Sequence, residues 1–256
     1  MPVFRFLKRK WLLRKPFPED WEQMLINKVP VYRKLPDELQ KKLKQRVVIL
    51  LDEKHYEGCG GLAMTDEIRL VISACASVLI LEVTSDYYSG LQSILVYPDD
   101  YVAPVHHEDE GGIVSEGYEP RQGEYWGAGS IVLSWNDIKQ NLYTGSSGNL
   151  IYHEFSHLLD DRYGLTAGIS DEGKPRRDDE WTHTFAKAYR KLIHNTRTGK
   201  PTVLDSYGAT NPAELFSVAT EAFFEKPQNL KRELPGLYGM LKSFYQLDPL
   251  TWPGFK

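Results

Sequence analysis

Residues 153–157 read His-Glu-Phe-Ser-His. Two histidines four positions apart lie one above the other on an α-helix. Both imidazoles can then reach one metal ion, and Zn²⁺ takes nitrogen ligands at roughly 2.0–2.1 Å. Glu154 sits on the turn beside them, placed to take a proton from water rather than to bind the metal. Zinc lowers the pKa of a bound water to about 7, so a neighbouring carboxylate can accept that proton at neutral pH. This is the chemistry of hydrolysis, and the pattern points to a peptidase with His153 and His157 as ligands and Glu154 as general base.

Such a motif needs a helix to hold it. Asn149 is the natural N-cap, and Ile151, Phe155 and Leu158 form one apolar stripe with the histidines on the other side. The spacing predicts a helix over 148–161 that packs one face into the core and offers two imidazoles to a cleft. A chance pair of surface histidines would seldom fall mid-helix opposite such a stripe.

The third ligand must come from elsewhere. The metzincin extension needs a Gly and a third His soon after His157, but Asp160 and Tyr163 stand there. A structural zinc site normally takes four protein ligands, often cysteines. The chain has 2 cysteines, and neither Cys59 nor Cys75 has a metal-binding neighbour. A Glu from a later helix remains, and 211–225 is the source. Asn211 caps it, Pro212 takes the first helical position and Glu214 stands in the first turn. Glu214, Glu221 and Glu225 share one face, opposite Leu215, Phe216, Ala219 and Phe223. Spacing alone leaves three readings open: Glu214 as ligand, Glu214 as an ordinary capping-box glutamate bonding back to Asn211, or Glu221 as the ligand.

The elements around these two helices are coarser to read. Apolar spacing predicts helices over 36–56, 65–82 and 180–193, with Thr65 capping the second. Ser93 to Tyr97 and Ser130 to Trp135 read as strands. Residues 98–129, rich in Gly, Pro and acids, read as a long surface loop or loosely structured insertion. The expected class is α+β, mainly helical with a small sheet, in one domain spanning 1–256.

Composition narrows the partners. Apolar residues make up 41% and charged residues 26%, the mix of a globular chain, and a net charge of -4 gives no reason to expect a nucleic-acid binder. The longest apolar run, Val71 to Leu81, is about half a membrane span, so no span is expected. No secretory signal is visible, and two free thiols fit a reducing compartment, so the expected location is cytoplasmic. Residues 1–15 carry Arg5, Lys8, Arg9, Lys10, Arg14 and Lys15 and no acid. Interleaved with Phe4, Phe6, Leu7, Trp11, Leu12 and Leu13, they read either as a tail, solvated or packed on the domain, or as a surface for an anionic membrane.

Other candidates are weaker. His106-His107 lie beside Glu108, Asp109 and Glu110, a charged run of the kind that is usually solvated. His183 reads as packed helix surface. Asp160 and Asp161 are either orienting partners for a ligand histidine or a solvent-facing helix end. The strand at 130–135 could pair with an extended peptide at a cleft rim.

The chain resembles the Mlc titration factor A family of bacterial zinc peptidases. The matching segments are KPFPEDWE (15–22), VPVYRKLP (29–36), EGCGGLAMTDEIR (57–69), ILVYP (94–98), VLSW (132–135), HEFSHLLD (153–160), YGATNPAELFSVATEAFFE (207–225) and LDPL (247–250). They run in order through essentially the whole chain. The resemblance implies a gluzincin-like core related to the catalytic domain of anthrax lethal factor, with one Zn²⁺ per chain held by two histidines and a distant glutamate. In that arrangement a tyrosine seven residues before the glutamate faces the metal. Tyr207 precedes Glu214 by seven, so the resemblance selects Glu214 as third ligand and Tyr207 as a donor to the oxyanion. It also implies aminopeptidase-like action on short peptides and binding to Mlc, a transcriptional repressor of sugar-uptake genes. A regulator-sequestering protein without catalysis is the alternative, which the intact Glu154 argues against. For that regulator, the 98–129 segment and the basic N-terminus are the candidate surfaces.

Overall fold

The computed structural model describes residues 2–99, 101–108, 114–121, 123–126, 129–144 and 148–255. Four helices come first: α1 (Pro2–Leu12), α2 (Glu19–Lys28), α3 (Pro30–Lys34) and α4 (Asp37–Glu53). Strand β1 (His55–Gly58) and helix α5 (Asp66–Leu79) follow, then β2 (Ser93–Tyr97), β3 (Tyr101–Glu108), β4 (Val114–Arg121), β5 (Gly123–Trp126) and β6 (Ser130–Ser134). The second half is helical: α6 (Trp135–Thr144), α7 (Leu150–Tyr163), α8 (Glu180–Thr198), α9 (Pro212–Glu225), α10 (Pro227–Glu233) and α11 (Pro235–Tyr245). The chain is α+β, mainly helical with a small sheet, as the periodicities predict.

The sheet has the order β1-β2-β6-β5, with β1, β2 and β6 parallel and β5 antiparallel to β6. Helix α5 is the crossover from β1 to β2, and its apolar sequence is buried nearly throughout. Thr65 caps it, its Oγ1 accepting from Ile68 N at 3.3 Å. On β2 the alternation puts Ile94 and Val96 into the core, and β6 is buried along most of its length.

Several boundaries differ from the sequence expectation. The first long helix stops at Glu53 rather than 56, because His55–Gly58 pairs in register with Ser93–Val96. Its short polar sequence carries no strand periodicity, and the ladder is a tertiary effect. The buried Lys54 between them donates to the carbonyls of Tyr88 and Leu91 at 2.5 and 2.8 Å. The strand at 130–135 ends at Ser134, whose Oγ accepts from Asp137 N at 3.2 Å and starts α6 with Trp135. The segment 98–129 is not a loop. It holds the hairpin β3-β4, with His106 opposite Glu116 and His107 opposite Ser115, and the sheet strand β5. The His106 and His107 side chains, and residues 109–110, lie outside the described residues. The basic N-terminus is helix α1, docked on α4, and no described helix is long and apolar enough to cross a membrane.

Helix α7 packs against α5, α6, α9 and the sheet. Helix α9 rests on an aromatic layer in which Phe223 and Phe224 lie 5.6 and 5.0 Å from the Tyr245 ring, and Thr220 Oγ1 meets Tyr245 Oη at 2.8 Å. Such ring pairs contribute roughly 0.5–1.5 kcal/mol each beyond their buried area, so α9 is a stiff support.

A 3-10 turn, Ser206–Ala209, is held between α8 and α9. Gly208 makes that approach possible, since a Cβ there would stand 2.4 Å from Val218 Cγ2 and 3.0 Å from Leu192 Cδ2. Gly208→Ala should therefore lift the turn off α9 and destabilise the fold by about 1–3 kcal/mol, the usual cost of overpacking. Thermal denaturation checks this, and an unchanged midpoint would show that the turn yields without strain.

Candidate metal centre

Asn149 begins the site helix, its side chain accepting from Tyr152 N at 3.1 Å. Helix α7 is more buried than a single stripe predicts: Ile151, Tyr152, Glu154, Phe155, Ser156, Leu158, Leu159 and Asp160 are all buried. Between Leu150 and the helix end, only the strip through His153 and His157 is partly open, since α5 and α9 cover the other sides. The two imidazoles stand with centroids 5.1 Å apart.

Asn211 caps α9 through Glu214 N at 3.0 Å, with Pro212 in the first turn. The Glu214 carboxylate is turned toward α7. Its Oε2 lies 2.8 Å from His153 Nε2 and 3.6 Å from His157 Nε2. One ligand atom each from His153, His157 and Glu214 falls within 4.8 Å of the others. Ligands of a tetrahedral zinc ion stand about 3.3 Å apart, and the separations of 2.8 and 3.6 Å to Glu214 bracket that spacing.

Glu221, two turns further along α9, does a different job. Its Oε1 lies 2.8 Å from His153 Nδ1, and its Oε2 accepts from Asn149 N at 2.7 Å. It orients the imidazole and ties down the first turn of α7 at once. Gly148, at φ +102°, allows this, because a Cβ there would stand 2.9 Å from Glu221 Oε2. Glu225 continues the face, accepting from Asn149 Nδ2 at 2.8 Å. A cavity of about 300 Å³ borders the site, lined in part by Gly148, Asp205, Glu221 and Glu225.

The charges are strongly coupled. Burial opposes ionisation of His153, but its bonds to Glu214 and Glu221 prevail and raise its pKa. Burial likewise pushes Glu214 up, and its bonds to His153 and His157 overcome this and lower it. Burial pushes the Glu154 carboxyl up to about 7, with the two histidines pulling down against Glu214 and Glu221. A carboxyl poised there is matched to proton transfer at neutral pH.

The family profile described as Glucose-regulated metallo-peptidase M90 matches residues 4–246. The chain belongs to this metallopeptidase family. It is 38% identical over 245 residues to an uncharacterized protein of Synechocystis sp., covering 95% of this chain and 89% of that one. It is 32% identical over 252 residues to Mlc titration factor A of Serratia proteamaculans, covering 96% and 94%. Mlc titration factor A of Klebsiella pneumoniae is 32% identical over 232 residues, covering 90% and 86%. The resemblance seen in the sequence is thereby shown, and an M90 metallopeptidase implies a metal cofactor for which the His-His-Glu cluster is suited.

Tyr207 lies on the 3-10 turn at the site, its ring centroid 5.8 Å from that of His153 and its side chain 55% exposed. Asp160 neither orients a histidine nor faces solvent. It is buried and accepts from Thr166 N and Thr166 Oγ1 at 2.8 and 2.5 Å, capping the next turn. His183 is exposed beside Asp178 at 2.9 Å. Strand β6 is paired on both sides, so it has no edge for a peptide, and β5 beside α7 is the outer strand. Sequence reasoning missed Ser217, whose Oγ lies 3.3–3.4 Å from the His157 ring nitrogens, and the bridging role of Glu221. The Glu214–Glu221 interval of two turns was the available signal.

The raised pKa of His153 has a consequence for metal uptake. An imidazolium cannot coordinate, so the Nε2 proton facing Glu214 must leave, while the Nδ1 proton stays directed at Glu221. Metal binding near neutral pH should release about one proton from His153, and apparent affinity should rise by up to about tenfold per pH unit. Calorimetry in buffers of different ionisation heat measures the release; affinity that is flat from about pH 6 to about pH 8 would contradict it.

Proposed function

We propose that this chain is a zinc-dependent peptidase, a single domain over 1–256 acting on short peptides in an aminopeptidase-like manner in the cytoplasm. The carrying observation is that ligand atoms of His153, His157 and Glu214 converge within 4.8 Å beside a buried carboxyl, Glu154, held near 7. Two imidazoles and one carboxylate with a fourth position left over is the donor set of a catalytic zinc, whereas a structural site would fill all four. Zinc bound there supplies Lewis acidity, lowering the pKa of a water and polarising the scissile carbonyl.

The chain's own groups do the rest. Glu154 takes the proton from the attacking water and delivers it to the leaving amine. Burial supports this cycle, because it pushes the carboxyl above its ordinary range and makes its ionised form a stronger proton acceptor. Tyr207 Oη donates a hydrogen bond to the oxyanion that forms at the attacked carbonyl, and its exposure leaves it accessible to substrate. Glu221 holds the His153 ring without binding the metal.

A second reading rests on the name of two relatives, Mlc titration factor A. In this reading the chain also binds a transcriptional repressor such as Mlc. A folded partner needs roughly 800 Å² per side, far more than a metal cleft, so regulator and peptide use different surfaces. The hairpin β3-β4 is the candidate.

Glu154→Gln should retain zinc and fold while losing turnover of a chromogenic peptide by several orders of magnitude. Its affinity for the repressor should stay unchanged. Near wild-type turnover would remove Glu154 as the base, and lost repressor binding would make the repressor a substrate instead.

Ligand and orienting roles separate by metal affinity. His153→Ala, His157→Ala and Glu214→Ala should abolish stoichiometric zinc, while Glu221→Ala should weaken it about 10–100-fold, the usual effect of removing an orienting partner. Competition with a chelator reads both, and a larger loss in Glu221→Ala than in Glu214→Ala would exchange their roles.

A further inference from the structure

Surface helices ordinarily bury their apolar stripe and wet their charged face. Helix α1 is docked the other way round. Arg9 grips Glu53 through Nε and Nη2 at 2.7 and 2.9 Å, Lys8 reaches Asp52 at 2.6 Å, and Arg5 reaches Glu53 at 3.4 Å. The Arg9 guanidinium also lies 4.2 Å from the Tyr87 ring centroid. Outward point Phe4, Phe6, Leu7 and Trp11, which are 76%, 65%, 56% and 54% exposed. The other exposed large hydrophobics among the described residues are Leu13, next along the chain, and three tyrosines. Among the described residues, no α1 side chain joins the hydrophobic core. A contiguous display of this kind marks an interaction surface.

Its charge says of what kind. Lys10, Arg14 and Lys15 are exposed beside the apolar residues, and Lys15 Nζ stands 3.9 Å from the Trp11 ring centroid. Residues 1–15 contain no acid to balance them. The inner cations are already paired with Asp52 and Glu53, so the outward field of the helix comes from the other three. Bulky apolar side chains, an indole among them, interleaved with unpaired cations are the complement of an anionic bilayer interface. A second copy of the same face would set cation against cation.

We propose that α1 docks the protein reversibly onto anionic lipid bilayers. Phe4, Phe6, Leu7 and Trp11 enter the headgroup boundary, and Lys10, Arg14 and Lys15 contact lipid phosphates. The salt bridges to α4 hold the helix against the domain in the orientation that presents this face. One short helix with four inserted side chains gives exchangeable binding rather than an anchor.

The test is co-sedimentation of the full-length protein with vesicles of phosphatidylcholine, alone or mixed with phosphatidylglycerol. Wild type should bind the mixed vesicles, release at raised salt, and ignore phosphatidylcholine alone. The double variant Leu7→Glu/Trp11→Glu and the triple variant Lys10→Glu/Arg14→Glu/Lys15→Glu should each lose at least about tenfold in partitioning. Both should keep the wild-type melting temperature, since these side chains leave the core untouched. Absence of binding to the mixed vesicles, or binding that both variants retain, would overturn the proposal. So would a wild-type dimer that the double variant dissociates, which assigns the face to a second copy, or binding of a purified repressor that depends on the same residues.

Discussion

The site depends on the tie between the first turn of α7 and the face of α9. Glu221 makes it, bridging Asn149 N and His153 Nδ1 with its two oxygens. A backbone donor at a helix N-terminus prefers an anionic partner, so Glu221 is stabilised there before any ion arrives. The same contact fixes which face of the His153 ring meets Glu214. Without it, two of the three candidate ligands would be joined only by general packing of the two helices. The aromatic layer under α9, Tyr245 included, then carries the tie into the body of the protein.

Charge balance explains the rest of the arrangement. Three carboxylates, Glu154, Glu214 and Glu221, crowd two imidazoles in a largely buried setting. With a proton on His153 the cluster is partly compensated. A divalent cation in place of that proton would compensate it further, since it lies close to Glu214 and near Glu154. The site is therefore suited to exchange a proton for a metal, with Glu154 outside the set of converging ligand atoms.

Much of this is legible in the sequence where the signals are local. Asn149, Asn211 with Pro212, and Thr65 each announce a helix start through cap chemistry, and each caps as expected. The His153–His157 pair follows from periodicity, whereas spacing leaves Glu214 level with Glu221 and with an ordinary cap, and the family resemblance makes that choice. What is not legible is set by tertiary pairing. The polar stretch at 55–58 becomes a strand only because β2 lies beside it, and the 98–129 segment forms ladders that its composition does not suggest. Glu221 has the residue type and the helix face of a ligand. Only its distance to Nδ1 rather than Nε2 separates an orienting group from a ligating one. Asp160 fails for a related reason: an acid near a metal helix suggests a role at the metal, but the nearer donor is Thr166 on the following turn.

Tyr207 shows how the fold reconciles a rigid site with an accessible one. Ligands must be held tightly, and they sit on long helices packed on several sides. Tyr207, the proposed donor to substrate, is set instead on a short 3-10 turn and is more than half exposed. Such a turn is intrinsically weak, so its position has to come from outside. Asp205 supplies part of it, accepting from Tyr207 N at 2.8 Å. Gly208 supplies the rest, by letting the backbone sit against Val218 and Leu192 where any side chain would hold it off. The seven-residue interval from Tyr207 to Glu214 is thus the length of chain needed to leave that turn, cap α9 at Asn211 and return a carboxylate to the same imidazole.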